Sequence, residues 1–305
     1  MEYRVFQYGA DDIYIKDIIE GFSVRNNEVV DKVWFSQRFE QNPLGKAILV
    51  CAFDRDRMIS CVGVERLPFQ CEGKTLVGGN MRVLFVQDGQ GSKDMWYSLL
   101  KVIEEECSRQ GIDLVIGFND QNLISSAQGF EWTYRVGMVR YRFNSVTGMW
   151  RNIFKMLDMK KPFVAETKDK QSEYVQKEMK DNTCMPDYFK WLICTSIKRF
   201  VVVDNEEVCA VMITGHRGKR VREAQVCYFE PRKGVEVAQR SLVKYIKGHF
   251  TKDEVDMISC IDGKNYLSKK NLFSTSQEEN YWYKWLREPI DVEIGEITQL
   301  GVFLS

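Results

Sequence analysis

Along most of the chain apolar positions recur with strand-like spacing, and at a few defined places the period lengthens to that of a helix. KAILVCAFD (46–54) and RMISCVGVERLPFQ (57–70) are β-branched and apolar runs parted by the turn-like DRD, which predicts a hairpin. KTLVGGNMRVLFV (74–86) continues that sheet. Over 92–110 the spacing changes: Met95, Leu99, Val102, Ile103 and Cys107 share one face with glutamates opposite, and Gly111 is placed to end the helix. IDLVIGF (112–118) reads as a short buried strand and NDQNLISSAQ as a polar helical segment. FEWTYRVGMVRYRF (130–143) reads as a closing hairpin through Val136 and Gly137. One strand-helix-strand crossover is thus expected inside an otherwise antiparallel sheet.

The same order returns in KRFVVVD, EVCAVMITG, REAQVCYFE, a helix over 234–250 and VDMISCI. Sliding the chain by 143 residues sets 83–103 on 226–246 without a gap, and the offset holds on through Asp113/Asp256, Asn122/Asn265, Ser125/Ser268 and Phe130/Phe273. Ten identities fall in those 48 positions, where unrelated sequence of ordinary composition would give about three. The chain therefore reads as two similar domains, 1–145 and 146–305, which suits 305 residues. Between them, 150–182 is charged and is read as helical.

Composition removes several functions. Lys plus Arg and Asp plus Glu both total 43, so no net field draws the molecule to nucleic acid or to an anionic membrane. The N-terminal stretch lacks a secretory signal profile, so the protein is expected to be soluble and cytoplasmic. Nine cysteines without a CxxC pair read as reduced core thiols. With only His216 and His249, neither a metal site nor a Ser-His-Asp triad is expected. GQGSK (89–93) lacks the spacing of a P-loop, and Gly89 and Gly91 lack the third glycine of a dinucleotide fingerprint.

The order of elements, with NPLGKAILVCAFDRDRMISCVGVERLPFQCEGKT, GNMRVLFVQDGQGSKDMWYSLL and GIDLVIGFNDQNLISSAQGFEW, resembles the GCN5-related N-acetyltransferase family over residues 10–143. Gly129 and Phe130 match the Gly-Phe that commonly closes that family's fourth helix. The chain is similar to the bacterial tandem forms, with 185–285 fitting a degenerate second copy. The resemblance implies an α+β (α/β/α) fold of two domains, each a mixed, mostly antiparallel sheet flanked by helices. It also implies acetyl-CoA or another acyl-CoA as cofactor and a small-molecule amine as acceptor, with an amino sugar as the specific expectation.

In that fold two parallel strands splay, and the pantetheine arm bonds to the freed main chain like an added strand. The pyrophosphate sits at the start of the following helix, on amides and a positive dipole end. Carried over, the arm would lie along Leu84, Phe85 and Val86, and the cradle would be Gly89, Gln90, Gly91, Ser92, Lys93 and Asp94, with Asn119 and Asn122 beyond the second strand. The family's Arg/Gln, glycine and small residue are replaced by Gly91, Asp94 and Trp96. An aspartate there competes for the amides and repels phosphate, and with Ser92 as N-cap the turn also reads as a plain helix start. In the second copy Glu236 and Val237 occupy the cradle and Leu272 replaces the closing glycine, so no cofactor is expected there.

Acyl transfer to an amine needs a proton acceptor and a donor to the leaving thiolate. Where the family often has tyrosine, four residues before the Gly-Phe, this chain has Ser125, with Tyr134 or water as alternatives. Asp120, at the carboxyl end of IDLVIGF, is the first candidate base, and its plain alternative is a helix cap. Glu65 on CVGVERL is the second, and its alternative is an outward, solvated position. Asn80 and Arg82 either line the acceptor pocket or lie on the surface. YWYKW (281–285) reads as a packing stripe or a stacking platform, and HRGKRVR (216–222) as solvated charges at a hairpin tip, with a contact to an RNA or nucleotide phosphate as the alternative. Two other classes stay open: a fold-retaining scaffold without CoA, and an aminoacyl-tRNA-dependent transferase.

Overall fold

The computed structural model describes residues 1–26, 29–71, 74–87, 91–118, 133–143, 163–166, 186–196, 199–219, 221–249, 255–261 and 274–287. They form two compact units. The first takes in Met1–Val136 together with Asn280–Val292, and the second is built on Gly137–Glu279.

In the first unit, β1 (Glu2–Val5), β2 (Ile48–Asp54), β3 (Arg57–Cys71) and β4 (Lys74–Val86) run antiparallel in that order. The β2–β3 turn places Arg55 at φ 56, the left-handed conformation a tight hairpin needs. β4 is followed by α3 (Lys93–Arg109) and the parallel strand β5 (Leu114–Phe118). Gly111, at φ 75, ends the helix as expected, because a residue there must adopt the left-handed conformation. Met95, Leu99, Ile103 and Cys107 are buried against Val50, Val62, Val64 and Val83, joined by Trp96 and Leu100. The other sheet face is covered by α1 (Ile15–Asn26), by α2 (Lys32–Phe35) and by a π-helical turn, Ser36–Glu40. Tyr14 of a short 3-10 turn meets Phe53 edge-on there, and Gly21 lies against Phe85.

The second unit repeats the succession. β8 (Phe200–Asp204), β9 (Val208–Arg217) and β10 (Val221–Pro231) are antiparallel, α5 (Val235–His249) follows, and β11 (Met257–Ile261) is parallel to β10. α4 (Asp187–Thr195) precedes them and packs Phe189 on Tyr228. Each unit also has a bulge at the same place: the β3–β4 register shifts between Val83 and Phe85, the β9–β10 register between Val226 and Tyr228. Leu84 and Cys227, the inserted residues, stand 143 positions apart.

Two segments depart from the sequence expectation. Thr133–Phe143 does not turn at Val136–Gly137; it is one strand, β6, whose Val139–Phe143 pairs with β11. A single glycine amid alternating apolar residues lacks the two-residue turn chemistry a hairpin requires. The strand that completes the first unit is instead Tyr281–Trp285 of β12 (Ser274–Trp285), antiparallel to β5. Within 150–182, read as helical, Phe163–Ala165 is a strand, β7, paired with β9 after Pro162. Proline favours extended backbone before it and cannot donate to a helix. The rest of that segment and the expected junction near 146 lie outside the described residues, as does NDQNLISSAQ.

Cys51, Cys61, Cys107 and Cys227 are free and buried, while Cys209 is buried and Cys194 exposed. Burial pushes the Cys107 thiol up to about 12. Among the described residues no helix is long and apolar enough to cross a membrane.

Candidate active site

The parallel strands β4 and β5 pair over a short stretch that uses nearly all of β5, while β4 runs on beyond it. Their pairing runs from Gly78↔Leu114 to Met81↔Gly117. Asp113 staples the start: its amide donates to the Val77 carbonyl at 2.7 Å, and its carboxylate accepts from the Val77 amide at 2.9 Å. It is also paired with Arg287 at 3.0 Å. Beyond Met81, β4 continues as Arg82–Val86 with β3 on one side and no further β5 partner on the other. Leu84, Phe85 and Val86 therefore lie on a stretch of extended backbone with one edge unpaired among the described residues.

That edge leads to the start of α3. Ser92 is its N-cap, accepting from the Met95 amide at 3.2 Å. Lys93 and Asp94 are exposed, and no described hydrogen bond takes their amide groups. Capping by Ser92 leaves Asp94 as an acidic residue of the first turn, where it favours the helix dipole without plugging its end. Gly91 lies close by, and a Cβ on it would meet the Trp96 indole nitrogen at 3.5 Å. That indole N–H is buried and has no partner. Two open amides, a buried unpaired N–H and Lys93 form an environment suited to an anion. Gly89 and Gln90 lie outside the described residues, as do Asn119, Asp120, Asn122 and Ser125.

A second cluster lies on the α1/α2 face of the sheet. Glu65 is not solvated: its exposure is 0%, and it stands opposite Asn80 in the β3–β4 register. Alternation alone would put it outward, but this sheet is covered on both faces, so neither set of positions reaches water. The Arg38 Nε lies 2.9 Å from one Glu65 oxygen, and an Arg82 terminal nitrogen 3.8 Å from the other. Asn80 is buried as well, at 1% exposure, and its side-chain amide nitrogen has no partner. The structure thus gathers three residues singled out from the sequence and adds Arg38. Arg38 projects from the π-helical turn, which Phe39 and the adjoining Phe35 of α2 anchor in the core with rings 5.0 Å apart. Phe35 and Phe39, four residues apart, were a signal that this short polar segment docks on the sheet.

The second unit has a charged cluster of opposite character. Arg217, read from the sequence as a solvated turn charge, is buried on Glu223 at 2.5 Å. Glu223 also accepts from Gln225 at 2.9 Å and from the Ser259 hydroxyl. Its carboxylate is fully engaged by the protein. Burial of the guanidinium follows from that pairing, since charges enter a core only when matched.

No protein-family profile matches the chain, and no curated protein does. Solved structures do. A GCN5-related N-acetyltransferase from Anabaena variabilis aligns over 94% of this chain and 73% of its own, at 10% identity and a TM-score of 0.55. Eis1 from Mycobacterium abscessus covers 94% and 74% at 11% identity and a TM-score of 0.57. A probable N-acyltransferase from Enterococcus faecalis covers 94% and 73% at 10% identity and a TM-score of 0.56. Taken with the stapled parallel strand pair and the crossover helix between its strands, these likenesses show that the chain has the GCN5-related N-acetyltransferase fold.

Proposed function

We propose that the first unit binds an acyl-CoA, acetyl-CoA in particular, and transfers the acyl group to the amine of a small molecule, with an amino sugar as the expectation drawn from the sequence. The observation that carries this reading is the run Arg82–Val86, which continues past its last pairing with β5 beside the capped start of α3. An unpaired strand edge offers main-chain hydrogen bonds to an extended ligand. Leu84, Phe85 and Val86 would hold the pantetheine arm. Gly91, Ser92 and Lys93 would hold the pyrophosphate, together with Gly89 and Gln90, and Asn119 and Asn122 would lie nearby. The open amides and the orphaned Trp96 N–H fit such a group, while Asp94 opposes it through like charge. When bound, acyl-CoA supplies an activated carbonyl. Glu65 and Asp120 are the proposed acceptors of the amine's proton, and Ser125 the proposed hydrogen-bond donor. The second unit is proposed as a degenerate second copy, supported by its matching succession and by the bulges at Leu84 and Cys227. The free cysteines support a cytoplasmic location.

Thermal melting of the whole chain with acetyl-CoA tests this. Ligand at 100 times its dissociation constant should add about 2.7 kcal/mol to stability. Asp94→Asn should tighten binding by about two- to fivefold by removing the opposing charge. No melting shift at millimolar cofactor would instead favour a protein that keeps the fold and has lost the cofactor, the reading that Asp94 supports.

A further inference from the structure

We propose that the amine acceptor also carries a carboxylate, which Arg38 and Asn80 hold while Glu65 receives its ammonium group. The inference rests on the acyl-transfer reading and narrows its acceptor.

Buried polar groups are almost always paired, and each one left open costs about 1–3 kcal/mol. Here several occur together. Both carboxylate oxygens of Glu65 lack a hydrogen bond, since the Arg38 Nε is close in space but not aligned as a donor. The Asn80 amide nitrogen opposite also lacks an acceptor. The second unit shows what a closed arrangement looks like, because there Arg217, Gln225 and Ser259 all bond to Glu223. That carboxylate is structural. The Glu65 cluster leaves its hydrogen-bonding capacity for something else.

What it would take follows from the inventory. Glu65 offers two acceptor oxygens, which suit an ammonium. Asn80 offers a donor. Arg38 turns its Nε toward Glu65, and no described contact engages the terminal fork of its guanidinium. That fork matches a carboxylate in two parallel hydrogen bonds. Arg38 and Arg82 both face the Glu65 carboxylate. An amino acid brings both complementary groups. A diamine would set a second cation against Arg38, and a neutral amino sugar would leave the fork unfilled. The π-helical turn that carries Arg38 agrees, because such turns are frequent at functional sites. The position agrees as well: Asn80 lies two residues before Arg82, where β4 loses its β5 partner.

The test is steady-state acetyl transfer by the full-length protein, read as release of the CoA thiol. Its acceptors are amino acids, their carboxamides, glucosamine and putrescine. Amino acids should exceed their own amides in kcat/KM by about tenfold or more, the worth of a charged hydrogen-bonded pair. Arg38→Met should erase that preference while leaving the melting shift with acetyl-CoA in place. Because breaking a buried pair can unfold the chain, Asn80→Asp provides a second arm: it keeps size, adds negative charge, and should reverse the preference toward the amide. Equal turnover of acid and amide, or glucosamine or putrescine ahead of every amino acid, would overturn the inference with the acyltransferase intact. Absence of any acetyl-CoA binding would remove both.

Discussion

Arg4 grips Asp11 with both terminal nitrogens, at 2.6 and 2.9 Å, and the Gln7 amide adds a third hydrogen bond at 2.7 Å. The guanidinium, more than the amide, holds the Asp11 carboxyl below its usual range. A depressed carboxyl stabilises the fold fully above its unfolded value, about 4, and the contribution is lost as pH falls through the lower folded value. Asp11→Asn should therefore lower the melting temperature at pH 7, and the gap from the parent should close as pH drops below about 4. A gap that stayed constant to pH 2 would show the charge to be irrelevant. Single positions such as Asp11 and Glu65 were the least legible part of the sequence. Glu65 sits in an alternating strand and reads as outward until the helices on the second face are seen to cover it. Arg38 carries no periodic signal, because the helix before it is only Lys32–Phe35 and the π-helical turn shifts the phase.

Packing of α1 on β4 fixes the wall behind the open strand edge. A Cβ at Gly21 would overlap the Phe85 ring at Cδ2 and stand 3.2 Å from both its Cβ and its Cγ. Alanine helps a helix by about 1 kcal/mol over glycine, while overpacking costs about 1–3 kcal/mol. Since the clash reaches Phe85 down to its Cβ, Gly21→Ala should be destabilising by about 1–2 kcal/mol, seen as a lowered urea midpoint. A raised midpoint would mean that α1 slides freely over β4. Regular elements such as these were largely readable. The face of α3 and the strands β2 to β5 follow from spacing alone, since burial on a sheet and on a helix leaves different periods. β6 was misread because pairing partners distant in the chain leave no local mark: whether Val136–Gly137 bends or runs straight is decided by β11.

The chain does not divide at one point. Its first unit draws Asn280–Val292 from the far end, and Tyr281–Trp285 covers the edge of β5. Lys284 on that strand reaches Glu104 of α3 at 2.7 Å, and the Leu286 amide donates to the Asp113 carbonyl. Removing residues 280–305 should therefore expose a strand edge and unseat the staple of the β4–β5 pair. The truncated protein should aggregate or lose its acetyl-CoA melting shift. A truncated chain that melts as the parent does and still responds to acetyl-CoA would show the added strand to be dispensable.

This borrowing has a consequence for synthesis. The β5 strand leaves the ribosome long before the segment that covers it, with 166 residues between Phe118 and Trp285. At ordinary elongation rates that interval is on the order of 10–30 s. Throughout it the nascent first half carries a bare, apolar strand border, so helpers that shield such borders, or slower translation at low temperature, should govern how much finished protein a cell recovers.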